Sequence, residues 1–163
     1  MPGRLDRVEN PFGLTILIDY AHTPDALRNV LTAVKPFTQT KLILVFGCGG
    51  DRDPIKRPIM GRIGRELSDV LIVTSDNPRT ENPEQIMDQI EKGVLGDGSQ
   101  EKLYFRITDR RDAIRNAIEI AQRGDTVLLA GKGHENYQIL GTEKIPFDDK
   151  EVAERIIREK MNA

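Results

Sequence analysis

Six consecutive residues, Asp76-Asn77-Pro78-Arg79-Thr80-Glu81, carry the donors and acceptors needed to grip a small charged molecule. Asp76 and Glu81 supply acceptors, and Asn77 supplies an amide that both donates and accepts. Pro78 fixes its own φ, and Arg79 offers a planar guanidinium that holds a carboxylate through two parallel hydrogen bonds. The stretch follows the apolar run Val70-Leu71-Ile72-Val73 and precedes Asn82-Pro83-Glu84-Gln85, which has the residues of a helix start. Strand, polar loop and capped helix make a βα junction, and open α/β sheets collect ligands at the carboxyl ends of such strands. A turn with a solvated arginine explains these six residues equally well.

Three further loops have chemical content. Asp19-Tyr20-Ala21-His22-Thr23-Pro24 follows the apolar run Leu14 to Ile18, Gly47-Cys48-Gly49-Gly50-Asp51-Arg52-Asp53 follows Lys41 to Phe46, and Gly131-Lys132-Gly133-His134-Glu135-Asn136-Tyr137 follows Thr126 to Ala130. The glycine-rich loop invites a phosphate, yet it fails two tests. With Gly47 and Gly49 as the first two glycines of a dinucleotide fingerprint the third position is Arg52, and no segment ends in the Gly-Lys-Ser/Thr of a P-loop. His22, Cys48, His134 and Glu135 match no zinc spacing, so no metal site is expected. Cys48 as a nucleophile needs a base and an electropositive pocket; a small residue in a tight turn is the simpler reading.

The elements that must position these loops alternate. Thr23 caps a helix with Pro24 at its first position and a buried stripe Ala26, Leu27, Val30, Leu31, Val34. Helices are also expected from about Pro58 to Leu67, from Pro83 to about Gly93 with Asn82 and Gln85 at its start, and after Asp109 and Asp112 with a face of Ala113, Ile114, Ala117, Ile118 and Ala121. Leu103 to Ile107 is a further strand, reached through a turn over 96–100. At least five alternations predict an α/β fold: a three-layer αβα, Rossmann-like domain around a mostly parallel sheet, with right-handed crossovers. Gln138 to Phe147 reads as a short hairpin, and Asp148 with Glu151 starts a last helix bearing Val152, Ile156 and Ile157. Residues 1–163 read as a single domain, with 1–12 a linker or lead-in.

Composition narrows the function. With 163 residues, 38% hydrophobic and 31% charged, the chain can bury a real core. No apolar run approaches the roughly 20 residues of a membrane helix, and the N-terminus has no signal-peptide pattern, so no membrane association and a cytoplasmic location are expected. A single cysteine agrees with a reducing compartment. A net charge of -2 and 5% aromatic residues give no footprint for nucleic acid.

Four blocks in order and spacing carry a resemblance: Asp19-Tyr20-Ala21-His22-Thr23-Pro24; Gly47 to Asp53 with Lys56-Arg57-Pro58; Asp76-Asn77-Pro78-Arg79; and Gly131-Lys132-Gly133-His134-Glu135. Together they resemble the C-terminal domain of the Mur ligases, over essentially the whole chain, and most of all the members that use meso-diaminopimelate. The resemblance implies an ATP-dependent acid–amino-acid ligase of peptidoglycan and cell-wall synthesis, with the roles in cell shape, cell cycle and division that follow. The D-glutamate carboxylate of UDP-MurNAc-L-Ala-D-Glu is activated as an acyl phosphate and attacked by the amine of meso-diaminopimelate. ATP and Mg2+ would be held mainly by a central ATPase domain and the UDP part by an N-terminal domain, both missing here. Met1 directly before Pro2-Gly3-Arg4 reads as a fragment, with no catalytic residue of its own and no activity alone.

Carried over by position, the amino-acid site comprises Arg52, Asp76, Asn77, Pro78, Arg79, Gly131 and Glu135. The far end of diaminopimelate is a zwitterion, so Arg79 with Asn77 would hold its carboxylate, Glu135 with the Gly131 carbonyl its ammonium, and Arg52 the other carboxylate. Arg4, Asp19 and His22 would meet ATP on domain closure; a salt bridge or a helix-start loop explains them equally well. Two other readings stand beside this one: a stand-alone binding module for a zwitterionic amino acid, and a nucleotide-binding Rossmann oxidoreductase.

Overall fold

In the computed structural model, which describes residues 3–96 and 102–163, apolar runs form strands and capped periodic stretches form helices. The strands are β1 (Asp6–Val8), β2 (Thr15–Asp19), β3 (Leu42–Phe46), β4 (Val70–Val73), β5 (Leu103–Arg106) and β6 (Thr126–Ala130). They make one sheet in the order β1-β2-β6-β3-β4-β5, parallel throughout except for β1, which runs antiparallel to β2. The helices are α1 (Pro24–Val34), α2 (Lys56–Leu67), α3 (Pro83–Leu95), α4 (Arg110–Ile120) and α5 (Asp149–Met161). A hairpin of β7 (Tyr137–Leu140) and β8 (Glu143–Pro146) stands apart from the sheet.

Strand side chains alternate between two faces, and each face has its own core. Ile43, Val45, Ile72, Val127 and Leu129 pack with α4 and α5, whereas Leu44, Phe46, Leu71, Val73 and Leu128 pack with α1, α2 and α3. Every residue of β3, β4 and β6 is buried, which is why these strands read as unbroken apolar runs. The outcome is the three-layer αβα arrangement with a mostly parallel sheet, closed by a hairpin and a helix. No helix among the described residues is long and apolar enough to cross a membrane.

Helix starts follow local chemistry. The Thr23 hydroxyl accepts from the N–H of Ala26 at 3.2 Å, Asn82 Oδ1 from Glu84 at 2.9 Å, Asp109 Oδ1 from Asp112 at 3.0 Å, and Asp148 Oδ1 from Lys150 at 2.9 Å and Glu151 at 3.2 Å. Each such cap stabilises its helix by about 1 kcal/mol.

Three boundaries differ from the reading of the sequence. β1 forms within a segment that showed no strand period, because only Val8 of its three residues is buried. α2 starts at Lys56, since Ile55 is already helical in backbone and the Arg57 N–H donates to the Pro54 carbonyl at 3.1 Å; Pro58 is then the third residue of the helix. α3 runs past Gly93 to Leu95. A Cβ on Gly93 would sit 1.8 Å from the Pro58 carbonyl oxygen, so this glycine lets α2 and α3 touch and does not stop the helix. The turn expected over 96–100 lies, beyond Gly96, outside the described residues, as do Met1 and Pro2.

Candidate functional site

β2, β6, β3 and β4 are neighbours and parallel, so the loops that follow them emerge along one edge of the sheet. There they enclose a cavity of about 330 Å³. Arg52, Asp76, Asn77, Arg79, Gly131 and Glu135 all line it, and so does His22. Pro78 is buried behind the wall, and Arg4 and Asp19 lie outside the cavity.

The loop after β4 is fixed from two sides. On one side, the Ile139 N–H donates to Asn77 Oδ1 at 3.0 Å, the Arg79 N–H to the Ile139 carbonyl at 3.0 Å, the Gly141 N–H to the Arg79 carbonyl at 2.7 Å, and Gln138 Nε2 to the Asp76 carbonyl at 2.8 Å. The hairpin thus serves as a splint for residues 76–79. It also settles the Asn77 amide: with Oδ1 occupied by Ile139, Nδ2 points to Glu135 Oε1 at 3.5 Å. Arg79 has φ 52, a left-handed backbone that costs a side-chain-bearing residue about 1–2 kcal/mol. Its Nη1 donates to the Gly50 carbonyl at 2.8 Å.

On the other side stands the glycine-rich loop. A Cβ on Gly50 would lie 1.8 Å from the Pro78 carbonyl oxygen, and one on Gly47 would lie 2.2 Å from that of Thr74. The glycines therefore admit the backbone of the neighbouring loop, and the Gly50 N–H donates to the Asn77 carbonyl at 2.7 Å. Beyond them buried Arg57 donates to both Glu81 oxygens, at 2.9 and 3.0 Å, and to the Gly49 carbonyl at 2.9 Å. Hydrogen bonding from Arg57 holds the Glu81 carboxyl below its ordinary pKa.

Under the cavity lies a set of buried charges in which sequence reading gave Asp76 a place but assigned no role to Arg110, Asp149 or Lys132. Arg110 makes a bidentate pair with Asp149, at 2.8 and 2.7 Å, and donates to the Ser75 and Ala130 carbonyls at 3.0 and 3.2 Å. Both partners are wholly buried, and they tie the starts of α4 and α5 to the loops after β4 and β6. Lys132 is also fully buried: its Nζ donates to the Tyr137 carbonyl and stands 3.5 Å from Glu135 Oε1. Asp76 is 6% exposed, and its Oδ1 has no hydrogen-bond partner among the described residues. Burial pushes the Asp76 carboxyl up, against Arg110 and Lys132, and pushes the Lys132 ammonium down, against Asp76. No sequence signal links Arg110 to a residue 39 positions away, and a lysine between two glycines reads as exposed.

The residues expected to meet ATP are built differently. Asp19 accepts from the Leu5 N–H with Oδ1 and from the Ala21 N–H with Oδ2, each at 2.9 Å, which is a structural role. His22 is exposed, with its ring 4.5 Å from that of Tyr20, and Arg4 is exposed on the segment that leads to Leu5. The glycines of residues 47–50 are packed against the neighbouring backbone and form no phosphate cradle. Cys48 is buried against Met60, and burial raises its thiol to about 12, which removes it as a nucleophile. Among the described residues no group of three or more His, Cys, Asp or Glu is placed to hold a metal ion.

The description "Mur ligase, glutamate ligase domain" matches residues 3–133. The chain belongs to the Mur ligase family. It is 57% identical over 162 residues to the UDP-N-acetylmuramoyl-L-alanyl-D-glutamate--2,6-diaminopimelate ligase of Trichormus variabilis, and 53% identical over 161 residues to that of Clostridium tetani. Each match covers 98% of this chain and 32% of the relative, so the chain spans about a third of the length of these curated relatives. A solved structure of such a diaminopimelate ligase, 41% identical, superposes with a TM-score of 0.92 over all of this chain and 33% of its own. Neither the oxidoreductase nor the stand-alone binding module gains support from these Mur ligase relatives, and the close packing of the glycine-rich loop argues separately against a dinucleotide.

Proposed function

We propose that this chain is the amino-acid-docking domain of a cytoplasmic, ATP-dependent ligase that joins meso-diaminopimelate to UDP-MurNAc-L-Ala-D-Glu in peptidoglycan synthesis. The observation that carries the reading is one cavity lined by donors and acceptors of both signs: Arg79 and the Asn77 amide as donors, Asp76 and Glu135 as acceptors. A zwitterion satisfies both. Arg79 and Asn77 Nδ2 take the distal carboxylate, Glu135 and the Gly131 carbonyl take the distal ammonium, and Arg52 takes the second carboxylate. Binding that end leaves the opposite amine free to be presented to the partner substrate, a gain from orientation.

ATP with Mg2+, held by a central domain, supplies the activation of the D-glutamate carboxylate. Arg4, Asp19 and His22 meet that nucleotide on closure, and the UDP part of the precursor is held by an N-terminal domain. The present chain alone neither hydrolyses ATP nor forms the amide bond, since no segment of its sequence has the P-loop spacing that cradles phosphates. The test is amide formation by the full-length ligase with meso-diaminopimelate and with lysine. Arg79→Ala lowers the efficiency with diaminopimelate by at least ~10²-fold, about 2.7 kcal/mol, and Arg79→Lys rescues little because an ammonium cannot reproduce the planar fork. Near-normal efficiency and an unchanged preference in Arg79→Ala would refute the assignment.

A further inference from the structure

Behind the cavity lining stands an ionic residue that the ligand-facing set does not include. Lys132 is fully buried, one turn of chain before Glu135, and its Nζ lies between the Tyr137 carbonyl and Glu135 Oε1. Glu135 is held loosely by three groups: Lys132 Nζ at 3.5 Å, Asn77 Nδ2 at 3.5 Å and the Tyr137 hydroxyl at 3.4 Å. Its oxygens therefore keep acceptor capacity toward the cavity.

The balance of buried charge gives Lys132 its meaning. Beneath the cavity Asp76 faces Arg110 and Lys132 on the positive side and Glu135 and Asp149 on the negative side, and across the cavity it shares the lining with His22, Cys48, Arg52, Lys56 and Arg79. Arg110 is bonded to Asp149 and also faces Asp76, and Lys132 is the second buried cation set against the carboxylates Asp76 and Glu135. Asp76 Oδ1 is the unpartnered atom of that trio.

We infer that Lys132 is a positioning residue for the amino-acid site: it holds the Glu135 carboxylate in place and supplies buried positive charge facing Asp76, so that the site selects a ligand ammonium. The inference rests on the reading of the cavity as an amino-acid site. It assigns Lys132 no contact with the ligand. A buried lysine with a purely structural task, bonding the Tyr137 carbonyl, would affect the fold without changing how binding responds to pH.

The two roles separate in Lys132→Gln, which keeps a donor for the Tyr137 carbonyl and removes the charge, and in Lys132→Met, which removes both. Binding of meso-diaminopimelate to the chain is followed by NMR titration from pH 6 to 8.5. Both variants weaken binding by about 30-fold at pH 7, the scale expected when one member of a buried, hydrogen-bonded charge set is removed. The loss is larger at pH 6 than at pH 8.5. Without one of its two cations Asp76 takes a proton at higher pH, and the form that accepts an ammonium is lost sooner as pH falls.

Loss by an equal factor at every pH, or no loss in Lys132→Gln, overturns the positioning role. Should both variants fail to fold, the wild type still decides: the Lys132 Nζ–H signal shifts as meso-diaminopimelate is added, and a signal that stays put overturns the proposal. The reading of the cavity itself fails differently. In that case wild-type resonances of residues 76–79 and 131–135 do not respond to meso-diaminopimelate, and the Lys132 proposal falls with it.

Discussion

The loop at 76–81 and the rim at Arg4, Asp19 and His22 occupy the same edge of the sheet, yet they are built to different standards. The loop is bonded to the hairpin, wedged against the glycine-rich turn and underlain by buried ion pairs, so its side chains are held before any ligand arrives. The rim is exposed; its anchor is Asp19, both of whose carboxylate oxygens are taken by backbone N–H groups. A site completed within one domain can be rigid, whereas a surface completed by a second domain gains nothing from rigidity until the two meet.

The comparison breaks most severely at Arg110. Arg110→Ala leaves Asp149 buried without its partner and lowers the unfolding free energy by about 3–5 kcal/mol; chemical denaturation measures this. Replacing the pair together by Met and Leu costs much less, because no charge is then left unpaired.

Gly50→Ala is next. Its Cβ meets the Pro78 carbonyl oxygen, so the two loops must part, at a cost of about 1–3 kcal/mol and with loss of amino-acid binding. Denaturation together with a ligand titration reads both effects.

Asp76→Asn sharpens the contrast through pH. Burial raises the folded-state pKa of Asp76 above its unfolded value, so the wild type loses stability as pH rises from the ordinary carboxylate range through the raised value. Asp76→Asn does not titrate. Its stability relative to wild type therefore increases with pH, and equal pH dependence of the two proteins would contradict the burial argument.

The smallest effect belongs to the rim. Arg4→Ala changes stability by no more than about 0.5 kcal/mol and leaves amino-acid binding to the chain unaltered, while raising KM for ATP in the full-length ligase. A larger loss of amino-acid affinity than of nucleotide affinity would erase the distinction between the two regions.

What could be read from the sequence was what is local. Thr23, Asn82, Asp109 and Asp148 announce helix starts because a cap bonds within three residues, and β3, β4 and β6 announce themselves because both faces are buried. The convergence of Arg52, Asp76, Asn77, Arg79, Gly131 and Glu135 followed from strand order and motif resemblance together. What stayed hidden depends on distant partners. Arg57 needs Glu81, Arg110 needs Asp149, and the buried Lys132 finds its acceptor in the Tyr137 carbonyl of the hairpin. The glycines of residues 47–50 looked like a phosphate loop, but their reason is the neighbouring backbone. β1 was invisible because a short edge strand buries one residue in three.

The most direct test of a preformed amino-acid site compares meso-diaminopimelate with L-lysine, which lacks the distal carboxylate. Both are titrated into the chain and into Arg79→Ala while backbone resonances of residues 76–79, 131 and 135 are followed. The account predicts that the wild type prefers diaminopimelate by at least ~10²-fold, since a site built around a polar group rejects an analogue that leaves it unpaired, and that Arg79→Ala removes most of that preference. Equal affinity for the two amino acids, or a preference that survives in Arg79→Ala, would contradict it.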